Sequence, residues 1–520
     1  MTEEVAFDST AGRWVLAVAV LGSGMAFLDG TVVNVALPDI GRDFDASTSS
    51  LQWVLNGYLL TLAALILLGG SLGDRYGRRR IFVLGTGLFT AASLLCAIAP
   101  SAELLVVARL LQGIGGALLT PGSLAMIEAS FRPGDRARAI GAWSGLGGVA
   151  TALGPLLGGY LIGAVSWRAI FLINIPLGIA VMALATRHVP ETRDPTASGH
   201  LDFVGAILAG LGLAGTTYAL IEGPGNGMSP LILLAAIGGV AALVAFLFSE
   251  RRSPNPMMPL GLFASRQFSA ANLVTFVVYA ALSGVFFLLV AFLQISLGYS
   301  PIEAGAASLP VTVLMLLLSA RSGALAQRIG ARIPLTIGPL VIAVGLLMMM
   351  RIDPGDSYVS SVLPAVIVFG LGLTLVVAPV TATVLAAADA SHAGIASGIN
   401  NAISRVGGLL AVAVLPLIAG LTGDSFYDPA AMTDGFHAAM VVCAVLAALG
   451  GVLAWLTISS EVLEVVPATD GDTPDGAATD FSCAVAGTPL RPAREARCAP
   501  VGSGDLARVR AGVGAAADQD

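Results

Sequence analysis

The sequence has few charged residues and no lysine. Charged side chains make up 11% of its 520 residues, and all 26 lysine-or-arginine positions are arginine. A soluble domain usually carries about 25% charged residues. This shortage of charge excludes an ordinary water-soluble globule. The net charge of -7 also gives no basic surface for nucleic acid.

Cysteine and histidine are also scarce, with four of each. Cys96 and Cys443 lie in apolar runs, and Cys483 and Cys498 lie in the polar tail. This scatter excludes a Cys/His metal centre and requires no disulfide. The chain contains no G-x-x-x-x-G-K-[ST] phosphate loop and no nucleophile–base motif. We therefore expect no enzyme activity, no cofactor, and a driving force other than ATP.

Apolar residues are abundant instead. They make up 56% of the chain, and the mean hydropathy is +0.87. A spanning helix needs about 20 such residues. The pattern predicts an all-α polytopic membrane protein with 14 transmembrane helices. The apolar runs lie near 14–36, 51–70, 80–98, 103–126, 139–162, 167–186, 203–221, 230–248, 270–293, 303–320, 333–350, 359–382, 397–420 and 437–457.

Arginine is distributed unevenly between the connections that separate these runs. Cytoplasmic connections of membrane proteins carry an excess of basic residues. One set of alternate connections holds Arg75, Arg78, Arg79, Arg80, Arg132, Arg136, Arg138, Arg187, Arg193, Arg251, Arg252, Arg266, Arg328 and Arg332. The other set holds only Arg42, Arg168 and Arg351, with eight Asp residues. We expect a multi-pass protein of the cytoplasmic membrane with both termini in the cytoplasm.

An internal repeat divides the chain. GSLGDRYGRR (70–79) recurs as GALAQRIGAR (323–332), at an offset of 253 residues. Duplicated bundles with a site at their interface are typical of secondary transporters. The repeat predicts two pseudo-symmetric six-helix bundles separated by two inserted helices. The expected segments are a cytoplasmic N-terminus (1–13), an N-terminal bundle (14–186), a linker with helices 7 and 8 (187–269), a C-terminal bundle (270–457) and a disordered cytoplasmic tail (458–520).

Five motifs together resemble a known family. GSLGDRYGRRR (70–80), ARLLQGIGGA (108–117) and WRAIFLINIPLG (167–178) are similar to signatures of the major facilitator superfamily. LDGTVVNVALP (28–38) and LGPLLGG (153–159) resemble signatures of its fourteen-helix drug:proton antiporters. The resemblance implies a proton-driven exporter of small, lipophilic or cationic drugs or antibiotics. Its partners would be the substrate, protons and the lipid bilayer, and we expect a monomer. The alternative is a transporter of a nutrient or metabolite on the same fold.

Two charged residues lie inside the spanning runs at similar depths. A charge at the bilayer centre costs about 2.5–3.5 kcal/mol on insertion scales. Asp29 in helix 1 and Arg109 in helix 4 would reduce that cost by sharing a polar network with Gln112. We interpret Asp29 as the protonatable site, and the resemblance implies that Arg109 takes part in proton coupling. The alternatives are a solvated Asp29 near a helix end and a purely structural Arg109.

A second group of polar residues is predicted to line the substrate cavity. For Glu222 a solvated helix cap is the alternative. We interpret Tyr58 and its neighbours on helix 2 as residues that contact the substrate. The predicted cavity residues are Asn34, Gln112, Tyr58, Asn400, Asn401, Arg405 and Glu222.

The loop between helices 2 and 3 is predicted to form a conformational latch. If the bundles pair as in the family, the resemblance implies that Asp74 lies near the cytoplasmic start of helix 13. An anion at a helix N-terminus is stabilised by about 0.3–1 kcal/mol. Positive-inside topology alone would also explain the arginines. The latch residues are Gly70, Asp74, Arg75, Gly77, Arg78 and Arg79.

The glycine–proline stretch in helix 5 is expected to change the helix backbone and its packing. Proline removes a donor and disturbs the preceding turn, and glycines permit close helix packing. The resemblance implies an antiporter motif that seals the bundle against leak, and an ordinary membrane-helix feature is the alternative. The residues are Gly154, Pro155, Gly158 and Gly159.

Overall fold

The computed structural model describes residues 4–194, 201–227, 229–388 and 393–463. Within these residues, fourteen helices are long and apolar enough to cross a membrane. They are α1 (Thr10–Phe44), α2 (Thr48–Tyr76), α3 (Arg78–Ala97), α4 (Ala102–Ser130), α5 (Pro133–Ala164), α6 (Ala169–His188), α7 (Phe203–Pro224), α8 (Pro230–Arg252), α9 (Arg266–Ile295), α10 (Pro301–Ile329), α11 (Arg332–Met349), α12 (Tyr358–Ala386), α13 (Gly394–Ile418) and α14 (Pro429–Thr457). The predicted all-α fold with 14 spans is confirmed. Most of the predicted tail, from residue 464 onward, lies outside the described residues.

Several helices extend beyond the apolar runs that predict them. Helix α1 begins at Thr10 because the side chain of Ser9 accepts a hydrogen bond from the amide of Gly12. Helix α14 begins at Pro429, where the carboxylate of Asp428 caps the amide of Ala431. Polar caps satisfy the free amides of a helix terminus outside the apolar core. Hydropathy alone therefore predicts the spans but places the starts of these two helices too late.

Each half of the repeat has a close crossing between its third and fourth helices. The glycine lies on the fourth helix in the first half and on the third helix in the second half. We define the first half as α1–α6 and the second half as α9–α14. In the first half, a Cβ on Gly115 of α4 would lie 2.5 Å from the amide nitrogen of Phe89 on α3. In the second half, a Cβ on Gly345 of α11 would lie 2.6 Å from the amide nitrogen of Phe369 on α12. Backbones approach this closely only where one helix lacks a side chain.

The repeated loop also has the same geometry in both halves. Gly77 and Gly330, 253 residues apart, both have positive φ, at +115° and +84°. The arginines two positions later bind the last helix of their own half. Arg79 Nη1 donates to the carbonyl of Val189, and Arg332 Nε donates to the carbonyl of Trp455. The sequence repeat is therefore a structural repeat.

The insert, α7 and α8, packs beside the two halves through α7. Leu213 of α7 lies in one apolar cluster with Leu60 of α2 and Leu409 of α13. Helix α8 packs on α7 where Gly215 and Gly239 leave room for each other's backbones. The insert thus contacts one helix of each half.

Large apolar side chains cover the sides of the helical assembly. Leu234 on α8 is 68% exposed, and Leu456 at the end of α14 is 62% exposed. A soluble monomer rarely exposes contiguous apolar surface of this kind. Fourteen apolar helices with this surface make the chain a multi-pass membrane protein.

The chain crosses between two ends of the assembly. We name the end that holds the α2–α3, α4–α5 and α10–α11 connections the arginine-rich end. The opposite end, with the α1–α2 and α13–α14 connections, is the acidic end. At the acidic end the halves are joined directly by hydrogen bonds of 2.7–3.0 Å. They are Thr48 Oγ1 to Gly423 O, Gln52 Nε2 to Val412 O and Ala413 O, Gln294 Nε2 to Val35 O, and the Tyr427 hydroxyl to Ala46 O.

The close α11–α12 crossing predicts a specific sensitivity. We expect Gly345→Leu to lower the apparent melting temperature of the purified protein in detergent. Overpacking typically costs about 1–3 kcal/mol, and here the new side chain would meet backbone. Gly163→Leu on α5 is the matched control, since nothing lies within 4 Å of its Cβ position. Equal melting temperatures for both variants would contradict the tight crossing.

Candidate functional site

A buried ion pair lies inside the first half. Arg109 Nη1 on α4 donates hydrogen bonds to Asp29 Oδ2 on α1 and to Gln112 Oε1. Gln112 Nε2 donates to the other carboxylate oxygen, Asp29 Oδ1, at 2.8 Å. Asp29 and Gln112 are 0% exposed and Arg109 is 1% exposed. The structure brings Asp29, Arg109 and Gln112 together, and the alternative of a solvated Asp29 does not hold in it. Their part in proton coupling stays a prediction.

Two residues that the sequence did not single out complete this network. Ser93 Oγ on α3 accepts a hydrogen bond from Gln112 Nε2 at 2.9 Å. Asn174 Nδ2 on α6 donates to Ser93 Oγ at 3.3 Å and to Asp29 Oδ1 at 3.5 Å. Asn174 begins the second segment of α6, just after the break at Ile173. Three helices of the first half, α3, α4 and α6, therefore supply the groups around the carboxylate that α1 carries.

The guanidinium of Arg109 has further partners. Its Nε donates to the carbonyl of Val54 on α2 at 3.1 Å. Its carbon Cζ lies 4.5 Å from the ring centroid of Tyr58 and 5.8 Å from that of Phe171. A cation over an aromatic face is stabilised, and more strongly when it is desolvated. Arg109 is thus held by a carboxylate, an amide, a carbonyl and two rings.

Tyr58 and Gln112 belong to this buried network in the structure. Tyr58 is 2% exposed beneath Arg109, and Gln112 is 0% exposed. Asn34, one turn beyond Asp29, is partly buried, and its amide donates to Gly30 O at 3.5 Å within α1. Contact of these residues with a substrate stays a prediction.

Glu222 lies apart from the ion pair. Trp53 Nε1 donates to Glu222 Oε1 at 2.9 Å. Both residues line a lateral cavity of about 360 Å³ between α2, α4 and α7. Its other lining residues are Ser50, Ala102, Glu103, Val106 and Leu110. The structure does not bring Glu222 into contact with the Asp29 network.

The second half has a neutral polar cluster. Asn400 Nδ2 on α13 donates to Asn272 Oδ1 at 3.1 Å and to Thr275 Oγ1 at 2.8 Å, both on α9. Asn401 and Arg405 lie one helical turn apart on the adjoining face of α13, and both are partly exposed. Asn272 and Thr275 carry no sequence signal beyond being polar residues within an apolar run.

The α1 and α5 motifs meet in space. Thr31 Oγ1 lies where a Cβ on Gly154 would have to be, so only glycine fits there. The same hydroxyl lies 3.2 Å from the carbonyl of Thr151 and 3.0 Å from that of Leu28. The carbonyl of Thr151 is the one that Pro155 leaves without an intrahelical donor. Thr31 therefore compensates for the proline across the helix interface.

The remaining glycines of the α5 motif bring α5 close to two other helices. A Cβ on Gly158 would lie 2.4 Å from Val32 Cγ2 on α1. A Cβ on Gly159 would lie 2.4 Å from Pro301 O at the start of α10. Conversely, Gly305 of α10 faces the carbonyl of Pro155. The motif thus joins α5 to its own half and to the second half at the acidic end.

The loop between α2 and α3 is bound mainly to the first half. Asp74 Oδ1 accepts hydrogen bonds from Arg78, at 2.9 Å from Nε. Glu191, which follows α6 and was not singled out in the sequence, accepts from the amide of Arg79 at 3.1 Å. Its carboxylate also fills the space beside Gly77. Arg75 stacks 5.5 Å from the Tyr76 ring centroid.

Gly70 is not at a close helix crossing. A Cβ placed on it would lie 3.7 Å from the Cβ of Pro121 on α4, which is an ordinary van der Waals distance. Near this end, α2 meets α13 where Leu67 packs against Gly398. A charged latch between Asp74 and α13 stays a prediction.

The buried ion pair predicts unequal effects of single and double substitutions on stability. Removing one partner of a buried pair typically costs about 3–5 kcal/mol. We expect Arg109→Gln to lower the apparent melting temperature strongly and Asp29→Asn/Arg109→Gln to restore part of it. Arg42→Gln is the control, because its pair with Asp39 is exposed and worth about 1 kcal/mol at most. Identical melting of the single and double variants would contradict the coupling.

Comparison with known proteins agrees with this architecture. The chain is 37% identical over 456 residues to the methylenomycin A resistance protein of Bacillus subtilis (strain 168), covering 87% of this chain and 96% of that protein. It is 36% identical over 463 residues to the puromycin resistance protein pur8 of Streptomyces alboniger, covering 86% and 91%. It is 36% identical over 416 residues to the tetracenomycin C resistance and export protein of Streptomyces glaucescens, covering 79% and 77%.

A solved structure with a similar fold and a matching family profile agree with these relatives. The crystal structure of a D-xylose-proton symporter superimposes with a TM-score of 0.62 at 16% identity, covering 86% of this chain and 98% of that one. At that identity the likeness concerns the fold alone. The profile of the Major Facilitator Superfamily matches residues 19–412. Together with two six-helix halves, the first of which encloses a buried ion pair, these matches place the chain in the Major Facilitator Superfamily.

Proposed function

We propose that this protein is a proton-coupled antiporter that exports small, lipophilic or cationic antibiotics across the cytoplasmic membrane by alternating access. The observation that carries the proposal is the enclosed Asp29–Arg109–Gln112 network, a titratable charge retained inside an apolar bundle. Three relatives bear the names of methylenomycin A, puromycin and tetracenomycin C resistance proteins. Import of a metabolite on the same fold is the alternative, and the direction of transport separates the two.

The arginine-rich end is assigned to the cytoplasm. Basic residues in short connections are retained on that side of a membrane. Because α1 starts and α14 ends at the arginine-rich end, both termini are then cytoplasmic. The acidic end, where hydrogen bonds join the halves, faces outward.

The two halves are in contact at the acidic end, so the structure corresponds to a state that is closed to the outside. The outer ends of α1, α2 and α9 are bonded to the opposite half. Toward the arginine-rich end, α5 has an unpacked face in which Gly141, Gly145 and Gly148 have nothing within 4 Å of a Cβ position. These glycines, three and four residues apart, share one side of the helix. Access from the cytoplasm along this face supports substrate uptake for export.

Proton uptake would act on the ion pair directly. A proton on the Asp29 carboxylate removes the negative charge that compensates Arg109, while Gln112 and Val54 still accept from the guanidinium. An uncompensated buried charge is strongly unfavourable, so the helices that supply these groups must rearrange or admit water. Protonation of Asp29 would therefore change the relative free energies of the inward- and outward-facing states.

Two motif clusters would support the transition. The α5 glycines allow α5 and α10 to meet backbone to backbone, which seals the acidic end. The Asp74–Arg78 pair and Glu191 hold the α2–α3 loop near the place where α2 meets α13. Asn34, Asn401 and Arg405 are the partly exposed polar candidates for substrate contact.

Expression in a susceptible, exporter-deficient host tests the function. We expect the wild type to raise the inhibitory concentration of methylenomycin A, tetracenomycin C or puromycin several-fold, and a protonophore to restore accumulation of that compound. Asp29→Asn should abolish the effect because its amide cannot take up a proton. Asp434→Asn, at an exposed acidic position on α14, should retain it. Full resistance with Asp29→Asn would remove Asp29 from the mechanism.

The orientation can be tested with cysteines already present. Cys96 and Cys443 are buried, whereas Cys483 and Cys498 belong to the predicted cytoplasmic tail. We expect a membrane-impermeant maleimide to label the wild type only after the cells are permeabilised. Thr422→Cys, at an exposed position of the acidic end, should add labelling in intact cells. Labelling of the wild type in intact cells would reverse the proposed orientation.

A further inference from the structure

Arg405 on α13 is a cation without a counter-charge. Within the part of the chain that the structure describes, no carboxylate lies within ion-pair distance of its guanidinium. Its Nε is buried and makes no hydrogen bond. Arg109, by contrast, has a carboxylate, an amide and a carbonyl as partners. Several buried polar atoms of the described residues lack a hydrogen-bond partner, and Arg405 is the arginine among them. Because buried polar groups in native structures nearly always have partners, this charged group requires an explanation.

The position of Arg405 is central. It lies 11 residues after Gly394, which is about 16 Å of helical rise, roughly half of a 30 Å hydrocarbon core. Its electrostatic neighbours are Tyr58 on α2 of the first half and Tyr279 on α9 of the second half. Asn401 lies one turn before it on the same face of α13. Arg405 is thus placed where the two halves face each other.

The charges around this region do not balance. Asp29 contributes -1, while Arg109 and Arg405 contribute +1 each, so the three groups sum to +1. The carboxylate of Asp29 is enclosed and bonded to Arg109 and Gln112. A cationic compound that enters this state finds no open carboxylate there. An anionic compound finds a partly exposed guanidinium.

We propose that Arg405, assisted by Asn401, binds an acidic group of the exported compound, a carboxylate or a phenolate. The inference rests on the proposed export function and replaces the cationic substrates named there with acidic ones. A guanidinium presents planar N–H donors that match a carboxylate. The ligand would supply the negative charge that the protein withholds, which offsets the cost of keeping Arg405 in the membrane. The rival explanation is a structural Arg405 that is satisfied by water.

Equilibrium binding to the full-length protein in lipid nanodiscs tests this without a proton gradient. The probes are fluorescein, an anion at pH 7.5, and rhodamine 123, a cation on the same xanthene skeleton. Fluorescence polarisation would measure both dissociation constants for the wild type, Arg405→Gln and Arg405→Lys. Arg351→Gln, at an exposed arginine in the α11–α12 connection, is the matched control.

We expect the wild type to bind fluorescein more tightly than rhodamine 123. Arg405→Gln should weaken fluorescein binding about tenfold or more, equivalent to about 1.4 kcal/mol, without weakening rhodamine 123 binding. Arg405→Lys should retain part of the preference, and Arg351→Gln all of it. The inference is overturned if the wild type shows no preference for fluorescein, or if Arg405→Gln weakens both dyes equally.

The wild-type comparison stands even if Arg405→Gln fails to fold. The proposed export function is tested separately by the protonophore and Asp29→Asn. Anion binding without proton-dependent efflux would count against the function alone, and efflux with no anion preference would count against the substrate class alone.

Discussion

The ion pair between Asp29 and Arg109 is the interaction on which the first half depends. Two opposite charges in an apolar interior are tolerated only when each is compensated and hydrogen-bonded. Here the network of both charges spans five helices, because α2 contributes the carbonyl of Val54, and Ser93 and Asn174 supply the last contacts. The packing of α1, α3, α4 and α6 and the protonation of one carboxylate are therefore linked. Changing either must change the other.

Much of the fold follows from the sequence because lipid is a simple solvent. Each span must be apolar and must satisfy its own backbone, so hydropathy, arginine counts and one repeated loop predict fourteen helices, arranged as two six-helix halves and a two-helix insert. Helix ends follow from local caps such as Ser9 and Asp428, which hydropathy does not register. The resemblance of five motifs predicts the family, which spacing alone does not.

The site is only partly predictable. Asp29 and Arg109 stand out because charges are rare in membrane helices. Ser93 does not, because a single Ser in an apolar run has no distinctive spacing. Asn174 and Thr31 lie within two of the five motifs, but their partners depend on helix packing, which the motifs do not give. The halves also differ chemically: the 253-residue offset places Leu282 and Val362 at the positions of Asp29 and Arg109. The repeat therefore predicts the architecture of the second half and not its polar groups.

The hydrogen-bonded closure of the two halves at the acidic end has an energetic consequence. Its acceptors are all backbone carbonyls, so only four donor side chains must be kept for it to form, and the opposite surfaces can vary in sequence. Each such bond exchanges with water at a net cost of about 0.5–1.5 kcal/mol, or about 3–7 kcal/mol for the five together. One charge moved through 100 mV supplies about 2.3 kcal/mol. The closure is thus strong enough to hold one state, and under the proposed proton coupling it is weak enough for a few protons to reverse it. The donors are Thr48, Gln52, Gln294 and Tyr427.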